Sequence, residues 1–267
     1  MEKIGLIAGN RRFPLVFAQQ ARTKGYYVVA VAIKKDTSPK IKKYAHKVYW
    51  VDIREFNKMF DIFKAEKLDK VVMVGQVNPR HLFNRKIMES QEIKELFKGM
   101  QDKKANTIFG LIAERLNKEG FTLLDSNTFM EDFIPKKGTL TKREPDFSMW
   151  QDIYFGLDLA KQVAHLDIGQ TIAVKNQVIV AVEALEGTDA LIRRSGKIGG
   201  RGMIIIKVSR PKQDMRFDIP LVGLKTINNL IKIKASCLAI EAERTLFIDK
   251  EAGIRRADEK GMAIVAV

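Results

Sequence analysis

The chain has 267 residues and 46% hydrophobic residues, and its 47 lysines and arginines exceed its 32 aspartates and glutamates to give a formal net charge of +15. No apolar run approaches the roughly 18 residues that a membrane-spanning helix needs, and the N-terminus lacks a signal-peptide pattern. The single cysteine, Cys237, excludes an internal disulfide and a cysteine-based zinc site, so we expect a packed cytoplasmic protein. The positive charge favours nucleic acid, nucleotides or an anionic lipid surface as partners, or reflects a charge-rich surface adapted to heat.

The first half of the chain alternates between apolar strands and helical patterns. A strand at 4–8, a helix at 14–21 and the buried strand 26–33 form a βαβ unit, which predicts a parallel sheet. The alternation continues with strands at 48–51, 70–77 and 121–124 and helices at 55–66 and 106–119. Residues 1–132 are therefore predicted to form a doubly wound α/β domain.

Two turns follow strands of this predicted sheet, at the edge where such sheets bind ligands. The first contains Gly9 and Asn10, followed by two arginines, and suits a phosphate; the second contains Gly75, Gln76 and Asn78. The first turn lacks the full glycine fingerprint of nicotinamide-binding proteins. Each turn is also compatible with a plain solvated connection.

The stretch 133–146 breaks the alternation with two prolines, a glycine and several charges, and we predict a linker there. A second α/β domain is predicted over 147–267. It begins with a helix at 147–165, a turn at 167–170, and a hairpin of strands 171–174 and 178–182. Further on, the pattern predicts strands at 203–208, 237–240, 245–249 and 263–267 and helices at 226–233 and 250–260.

An acidic turn follows the second strand of the hairpin. Glu183, Glu186, Thr188 and Asp189 surround Gly187, and a helical pattern begins directly after them. Carboxylate oxygens in such a turn suit a hard divalent cation. The alternative is a capped turn, in which Thr188 or Asp189 caps the helix and the acids pair with the following arginines.

Two further stretches carry chemistry in the second half. Residues 194–202 read as a glycine-rich basic loop that either cradles phosphate or is a surface loop. Lys207, inside a buried strand, lies at a sheet edge or faces an anion. Asp214, Arg216 and Asp218 alternate, so an extended backbone would place them on one face, as a metal or water site or as a salt-bridge ladder.

Five long strings carry a resemblance to a known family. They are IGLIAGN at 4–10, VMVGQVNP at 72–79, HLDIGQT at 165–171, VEALEGTDALIRR at 182–194 and KVSRPKQDMRFDIPLVGLKT at 207–226. The chain resembles the UDP-2,3-diacylglucosamine pyrophosphatases of the LpxI type from end to end. The resemblance implies an N-terminal Rossmann-like domain and a distinct C-terminal α/β domain with the active site between them. It also implies hydrolysis of UDP-2,3-diacylglucosamine to UMP and 2,3-diacylglucosamine 1-phosphate in lipid A synthesis, with Mg²⁺ or another divalent cation.

The resemblance also assigns roles to residues of this chain. It implies catalytic roles for Asp218, Asp214 and Lys212, and metal binding by Asp218, Glu183, Glu186 and Asp189. Substrate contacts are expected from Gly9, Asn10, Gly75, Gln76, Asn78, Asp167, Gln170, Thr188 and Lys207. Whether Asp218 binds the metal or acts as general base stays open at this point.

The partners expected on this interpretation are the nucleotide-sugar lipid, its products and, transiently, the cytoplasmic face of the inner membrane; a homodimer is left open. A non-catalytic carrier or sensor of a nucleotide-sugar lipid is the alternative function. A nucleic-acid-binding protein is suggested by charge alone, because aromatic residues interleaved with basic ones and a recognised motif are lacking.

Overall fold

The computed structural model describes residues 1–98, 100, 102, 104–211 and 213–267. The chain divides into two compact units. The first unit contains residues 1–130 and 214–218, and the second contains 131–213 and 219–267. The sequence predicts 214–218 as part of the C-terminal domain. In the structure this short segment packs with the first unit, where the Ser126 N–H donates to the Met215 carbonyl at 2.8 Å.

A wholly parallel sheet forms the centre of the first unit. Its strands are β1 (Lys3–Ala8), β2 (Tyr27–Ile33), β3 (Lys47–Val51), β4 (Lys70–Val74) and β5 (Thr122–Leu124). Their order is β3-β2-β1-β4-β5, so the direction of winding reverses between β1 and β4. The expectation of an α/β fold with a parallel sheet is confirmed.

The first unit also contains helices, and the longer ones pack on the sheet through apolar residues that recur at helical spacing. The helices are α1 (Phe13–Thr23), α2 (Lys58–Ala65), α3 (Arg85–Met88), α4 (Gln91–Leu96) and α5 (Ala105–Lys118). In α2, Met59, Phe60 and Phe63 are buried and pack in one cluster with Val29 and Val71 of the sheet. The sequence analysis did not predict α3 and α4, which have only four and six residues.

The second unit contains a mixed sheet of six strands in the order β6-β13-β11-β9-β7-β8. They are β6 (Gly138–Thr139), β7 (Thr171–Lys175), β8 (Val178–Val182), β9 (Ile204–Lys207), β11 (Cys237–Ile240) and β13 (Ala263–Ala266), and β10 (Leu221–Val222) pairs separately with β12 (Leu246–Phe247). Strands β9, β11 and β13 are parallel, whereas β7, β8 and β6 pair antiparallel. The segment predicted to be a linker thus contributes β6 to this sheet.

The helices of the second unit are α6 (Phe147–His165), α7 (Thr188–Gly199), α8 (Leu224–Lys232) and α9 (Lys250–Asp258). The bounds of α6 agree with the predicted helix, and the Asp146 carboxylate caps it by accepting from the Met149 N–H at 3.0 Å. The predicted hairpin is also present. Asn176 and Gln177 at its turn have φ values of 50° and 56°, as tight hairpin turns require.

Two local predictions are wrong. The stretch 194–202 is largely helical, because α7 continues to Gly199. Its glycines allow close packing, since a Cβ on Gly196 would lie 2.4 Å from Ile233 and one on Gly199 would lie 2.6 Å from Met203. The segment 214–218 is a turn and not an extended strand, because the Asp218 N–H donates to the Asp214 carbonyl at 2.9 Å.

The only cysteine is a core residue, as its apolar neighbours in the sequence indicated. Cys237 is fully buried in β11. Burial disfavours the thiolate and raises the pKa of the thiol to about 12. Cys237 therefore contributes packing and no nucleophile.

Gly75 is expected to be essential for the stability of the first unit. Its φ of +93° disfavours other residues, and a Cβ there would lie 2.8 Å from the Asn10 carbonyl oxygen and 2.9 Å from Pro14. Gly25 is the matched control, because it has a φ of +85° but open space around it. We expect Gly75→Ala to lower the free energy of unfolding by about 3 kcal/mol and Gly25→Ala by about 1 kcal/mol. Urea unfolding of both variants measures these changes. Equal losses of unfolding free energy would show that the close contacts around Gly75 do not affect stability.

Candidate active site

Three polar residues meet at one edge of the mixed sheet because of strand register. Thr171 at the start of β7 pairs with Lys207 at the end of β9. Glu183 follows the last residue of β8, and its N–H donates to the Thr171 carbonyl at 2.9 Å. The carboxyl ends of β8 and β9 therefore bring a carboxylate and an ammonium to the same edge, the usual ligand edge of α/β sheets.

A chain of hydrogen bonds joins these residues to the first residue of α7. The Lys207 ammonium donates to the Thr188 hydroxyl at 2.8 Å and to the Thr171 hydroxyl at 3.3 Å, and the Thr188 hydroxyl donates to Glu183 Oε1 at 2.9 Å. Lys207 is only 7% exposed and Glu183 only 9%. We name Thr171, Glu183, Thr188 and Lys207 the edge cluster. In this cluster the Lys207 ammonium and the Glu183 carboxylate lie on either side of the Thr188 hydroxyl, and both are largely shielded from water.

The other two acids of the predicted acidic turn have partners of their own. Glu186 accepts from the Arg194 guanidinium at 2.8 Å and from the Ala184 N–H at 3.1 Å. Burial raises the pKa of Glu186, but these hydrogen bonds outweigh burial and the net pKa is lowered. Asp189 accepts from Asn229 at 2.9 Å and lies 3.0 Å from the Lys225 ammonium.

The cap of α7 differs from the prediction. The N-cap residue is Gly187, with a φ of 80° and no side-chain cap, so neither Thr188 nor Asp189 caps the helix. Both side chains are instead used for contacts within the fold. The expected pairing of the turn's acids with a following arginine is present in the Glu186–Arg194 ion pair.

Glu183 differs from the other two predicted metal ligands of the second unit. Within the described ranges, no three His, Cys, Asp or Glu side chains form a group that could hold a metal ion. Glu186 and Asp189 are already paired with cations, as above. Glu183 is different, because its Oε2 is buried and has no hydrogen-bond partner among the described residues. The predicted metal set thus stays a prediction, and of its members in this unit Glu183 has a buried oxygen without a hydrogen-bond partner among the described residues.

The turn before β7 packs against the edge cluster. A Cβ on Gly169 would lie 2.1 Å from the Glu183 carbonyl oxygen, so only glycine fits there. The Gln170 carbonyl accepts from the Val208 N–H at 2.9 Å, and Asp167 forms an ion pair with Arg210 at 2.8 Å. These two predicted substrate contacts therefore fix the segment that leaves β9.

A second charged group, which the sequence analysis missed, holds that same segment. Glu241, just after β11, accepts from the Lys161 ammonium at 2.6 Å and from both the N–H and the hydroxyl of Ser209 at 2.7 Å. Burial raises the pKa of Glu241, but the hydrogen bonds from Lys161 and Ser209 outweigh burial and the net pKa is lowered. Lys161 lies 80 residues from Glu241, and no local pattern links them.

The turn with the predicted catalytic carboxylates lies in the first unit. Arg216 donates to the Asp214 carboxylate at 2.9 and 2.7 Å, and this hydrogen-bonded pair lowers the pKa of Asp214. The Phe217 ring lies 5.7 Å from the Phe109 ring and anchors the turn. Asp218 is partly buried. Lys212, the third predicted catalytic residue, lies outside the described residues.

The two glycine turns of the first unit meet where the winding of the sheet reverses. The Asn10 N–H donates to the Gln76 carbonyl at 2.7 Å, and a Cβ on Gly9 would lie 2.6 Å from the same oxygen. Asn10 Oδ1 is buried without a hydrogen-bond partner in the described part of the chain. The Asn78 N–H donates to the Asp36 carboxylate at 3.0 Å, which also contacts His81. Asp36 was not predicted as a site residue, although it follows β2 at the ligand edge.

Comparison with known proteins covers nearly the whole chain. The family models for the LpxI N-terminal domain and the LpxI C-terminal domain match residues 3–133 and 136–265. The UDP-2,3-diacylglucosamine pyrophosphatase LpxI of Caulobacter vibrioides is 30% identical over an alignment of 277 positions, which spans 100% of this chain and 98% of that protein.

Two solved structures that contain UDP or UDP-glucose show only weak similarity. A UDP-glucose 4-epimerase from Thermotoga maritima, with UDP-glucose, covers 95% of this chain and 72% of its own at 8% identity and a TM-score of 0.34. The corresponding enzyme of Bifidobacterium longum, with NAD+ and UDP, covers 44% of this chain and 34% of its own at 16% identity and a TM-score of 0.29. At these scores neither structure supports an argument about this chain.

Proposed function

The chain belongs to the LpxI family, and we propose that it hydrolyses the pyrophosphate of UDP-2,3-diacylglucosamine to UMP and 2,3-diacylglucosamine 1-phosphate in lipid A synthesis. The whole-length match to a curated LpxI pyrophosphatase supports this substrate. The named relative is a hydrolase, and this chain is a hydrolase of the same family.

The edge cluster is the structural observation that most strongly supports the proposal. A buried lysine at the carboxyl end of a strand, flanked by two hydroxyls and the first turn of a helix, suits phosphate oxygens. Pyrophosphate hydrolysis mostly needs charge neutralisation and an oriented water. Lys207 supplies a fixed positive charge for the first of these tasks.

Asp218 is the candidate for handling the attacking water. Asp214 is held by Arg216 in a two-bond pair and its pKa is lowered, so Asp214 is suited to shaping the turn. Asp218 follows Asp214 in the same turn, and its backbone N–H donates a hydrogen bond to the Asp214 carbonyl. We assign to Asp218 the orientation of water for attack on the phosphorus next to the sugar, and to Asp214 the support of that turn.

The proposal includes Mg²⁺, held by few carboxylates of the protein. Proteins often bind Mg²⁺ through one or two carboxylates and the phosphates of the substrate. Such an arrangement requires no protein cage, which agrees with the lack of a three-ligand group among the described residues. Asp218 would hold the ion, which would supply further neutralisation of phosphate charge when bound.

Transient contact with the inner-membrane surface is also proposed, because the substrate carries acyl chains. The net charge of +15 favours an anionic surface. On α6, Phe147 is 79% exposed and Tyr154 is 64% exposed, and they lie seven residues apart on one helix face. No helix in the described part of the chain has the length and apolar character to cross a bilayer. The homodimer stays a prediction.

Turnover by the purified chain tests the proposed function. We expect UMP to be released from UDP-2,3-diacylglucosamine in the presence of Mg²⁺, as followed by chromatography of the nucleotide. Binding of the lipid without release of UMP would favour the carrier or sensor. Tight binding of random DNA at physiological salt, without binding of the lipid, would contradict both interpretations.

A further inference from the structure

Within the edge cluster, the Glu183 carboxylate has a hydrogen-bond partner among the described residues for only one of its two oxygens. Its Oε1 accepts from Thr188 at 2.9 Å, whereas its Oε2 is buried and has no partner among the described residues. A buried polar atom without a partner is unfavourable, and more so when it carries charge. Such an oxygen in a native fold calls for a specific explanation, and a bound ligand that donates to it is one.

A divalent cation suits this oxygen poorly. The Lys207 ammonium and the Glu183 carboxylate contact the same Thr188 hydroxyl, at 2.8 and 2.9 Å. A metal on Glu183 would therefore lie close to a buried positive charge, which repels it. A neutral donor such as a hydroxyl meets no such repulsion and would form a charge-assisted hydrogen bond.

This inference rests on the proposed function. The sugar of the proposed substrate offers few hydroxyls that could donate to Glu183 Oε2. In 2,3-diacylglucosamine 1-phosphate, acyl groups occupy positions 2 and 3 and the phosphate occupies position 1. The hydroxyls at positions 4 and 6 are the ones left free. We propose that Glu183 Oε2 accepts a hydrogen bond from one of these free sugar hydroxyls, so that Glu183 recognises the sugar and does not bind the metal.

The fold holds Glu183 in place for this role. Its backbone N–H is bonded to the Thr171 carbonyl at 2.9 Å. Gly169 allows the preceding turn to approach the Glu183 carbonyl more closely than any side chain would permit. The carboxylate is therefore oriented before the ligand arrives, which is the condition for a specificity-determining hydrogen bond.

Binding measurements without metal test the proposal. Isothermal titration in EDTA compares 2,3-diacylglucosamine 1-phosphate with its 4,6-dideoxy analogue. We expect the wild type to bind the hydroxylated lipid at least tenfold more tightly, and Glu183→Ala to bind both lipids equally. Glu183→Gln preserves size and is expected to retain only part of the discrimination. Glu251→Ala, an exposed change in the first turn of α9, is the matched control and should behave as wild type.

The outcomes separate this inference from the proposed function. If Glu183→Ala and Glu183→Gln still bind the hydroxylated lipid more tightly than the dideoxy analogue, as the wild type does, the inference is overturned. A need of these variants for at least tenfold more Mg²⁺ for half-maximal turnover would strengthen that conclusion. A wild type that hydrolyses the substrate but binds both lipids equally also overturns it, while the proposed function stands. A wild type that neither binds nor hydrolyses the lipid overturns the proposed function itself.

Discussion

Asp218→Ala is expected to lower kcat for UMP release at least a hundredfold. A positioned carboxylate that acts on water contributes about 10²–10⁴ in rate, so its loss should have an effect of this size. Asp218→Asn keeps the size of the side chain and removes its charge, and we expect a similar loss. Steady-state turnover with saturating Mg²⁺ is the measurement for both variants.

The stability of these variants separates chemistry from folding. Asp218 is partly buried in a turn that also contains the Asp214–Arg216 pair and the Phe217 ring. Thermal unfolding of both variants therefore shows how far a lower kcat reflects lost folding, and Asp218→Asn keeps the size of the side chain in that turn. Asp61→Asn, an exposed change in α2, is the control and should leave kcat unchanged. A kcat within about threefold of wild type in Asp218→Ala would remove Asp218 from the mechanism.

Lys207→Met is expected to lower kcat/KM about a hundredfold, because the proposed charged hydrogen-bond donor to phosphate is lost. This change also leaves the Glu183 carboxylate buried without its nearby cation, and removal of one partner of such a pair is destabilising. The double variant Lys207→Met/Glu183→Gln removes both charges. We expect the double variant to regain stability over the single one but not to regain kcat/KM.

Lys175→Met is the matched control for Lys207→Met. Lys175 lies at the opposite end of β7 and donates to the Gly199 carbonyl at 2.7 Å, so its loss affects the same unit away from the edge cluster. We expect kcat/KM of Lys175→Met to stay within about threefold of wild type. Recovery of activity together with stability in the double variant would mean that Lys207 has a structural role alone.

The sequence predicted those elements that local chemistry determines. Helix α6 was predicted with its bounds because apolar spacing is a local signal. Helix α7 was misjudged beyond Arg194, because Gly196 and Gly199 were taken as loop residues. Their role is close packing against Ile233 and Met203, and contacts of this kind are set by tertiary structure.

The candidate site was predictable in its residue types but not in its pairings. Glu183, Thr188 and Lys207 were identified because charged and hydroxyl groups beside buried strands are conspicuous. Thr171 was missed as a site residue because its position opposite Lys207 depends on strand register. Likewise, Asp189 contacts Asn229, 40 residues away, and no spacing rule connects the two.

Hydrolysis of UDP-2,3-diacylglucosamine by the wild-type chain in ¹⁸O-enriched water is the direct test of the proposed attack of water on the sugar-side phosphorus. Mass spectrometry of the products would show which phosphorus the water attacks. We expect UMP to form without label and 2,3-diacylglucosamine 1-phosphate to carry one ¹⁸O atom. Failure to form UMP would contradict the proposed hydrolysis, and label in UMP would contradict attack on the sugar-side phosphorus.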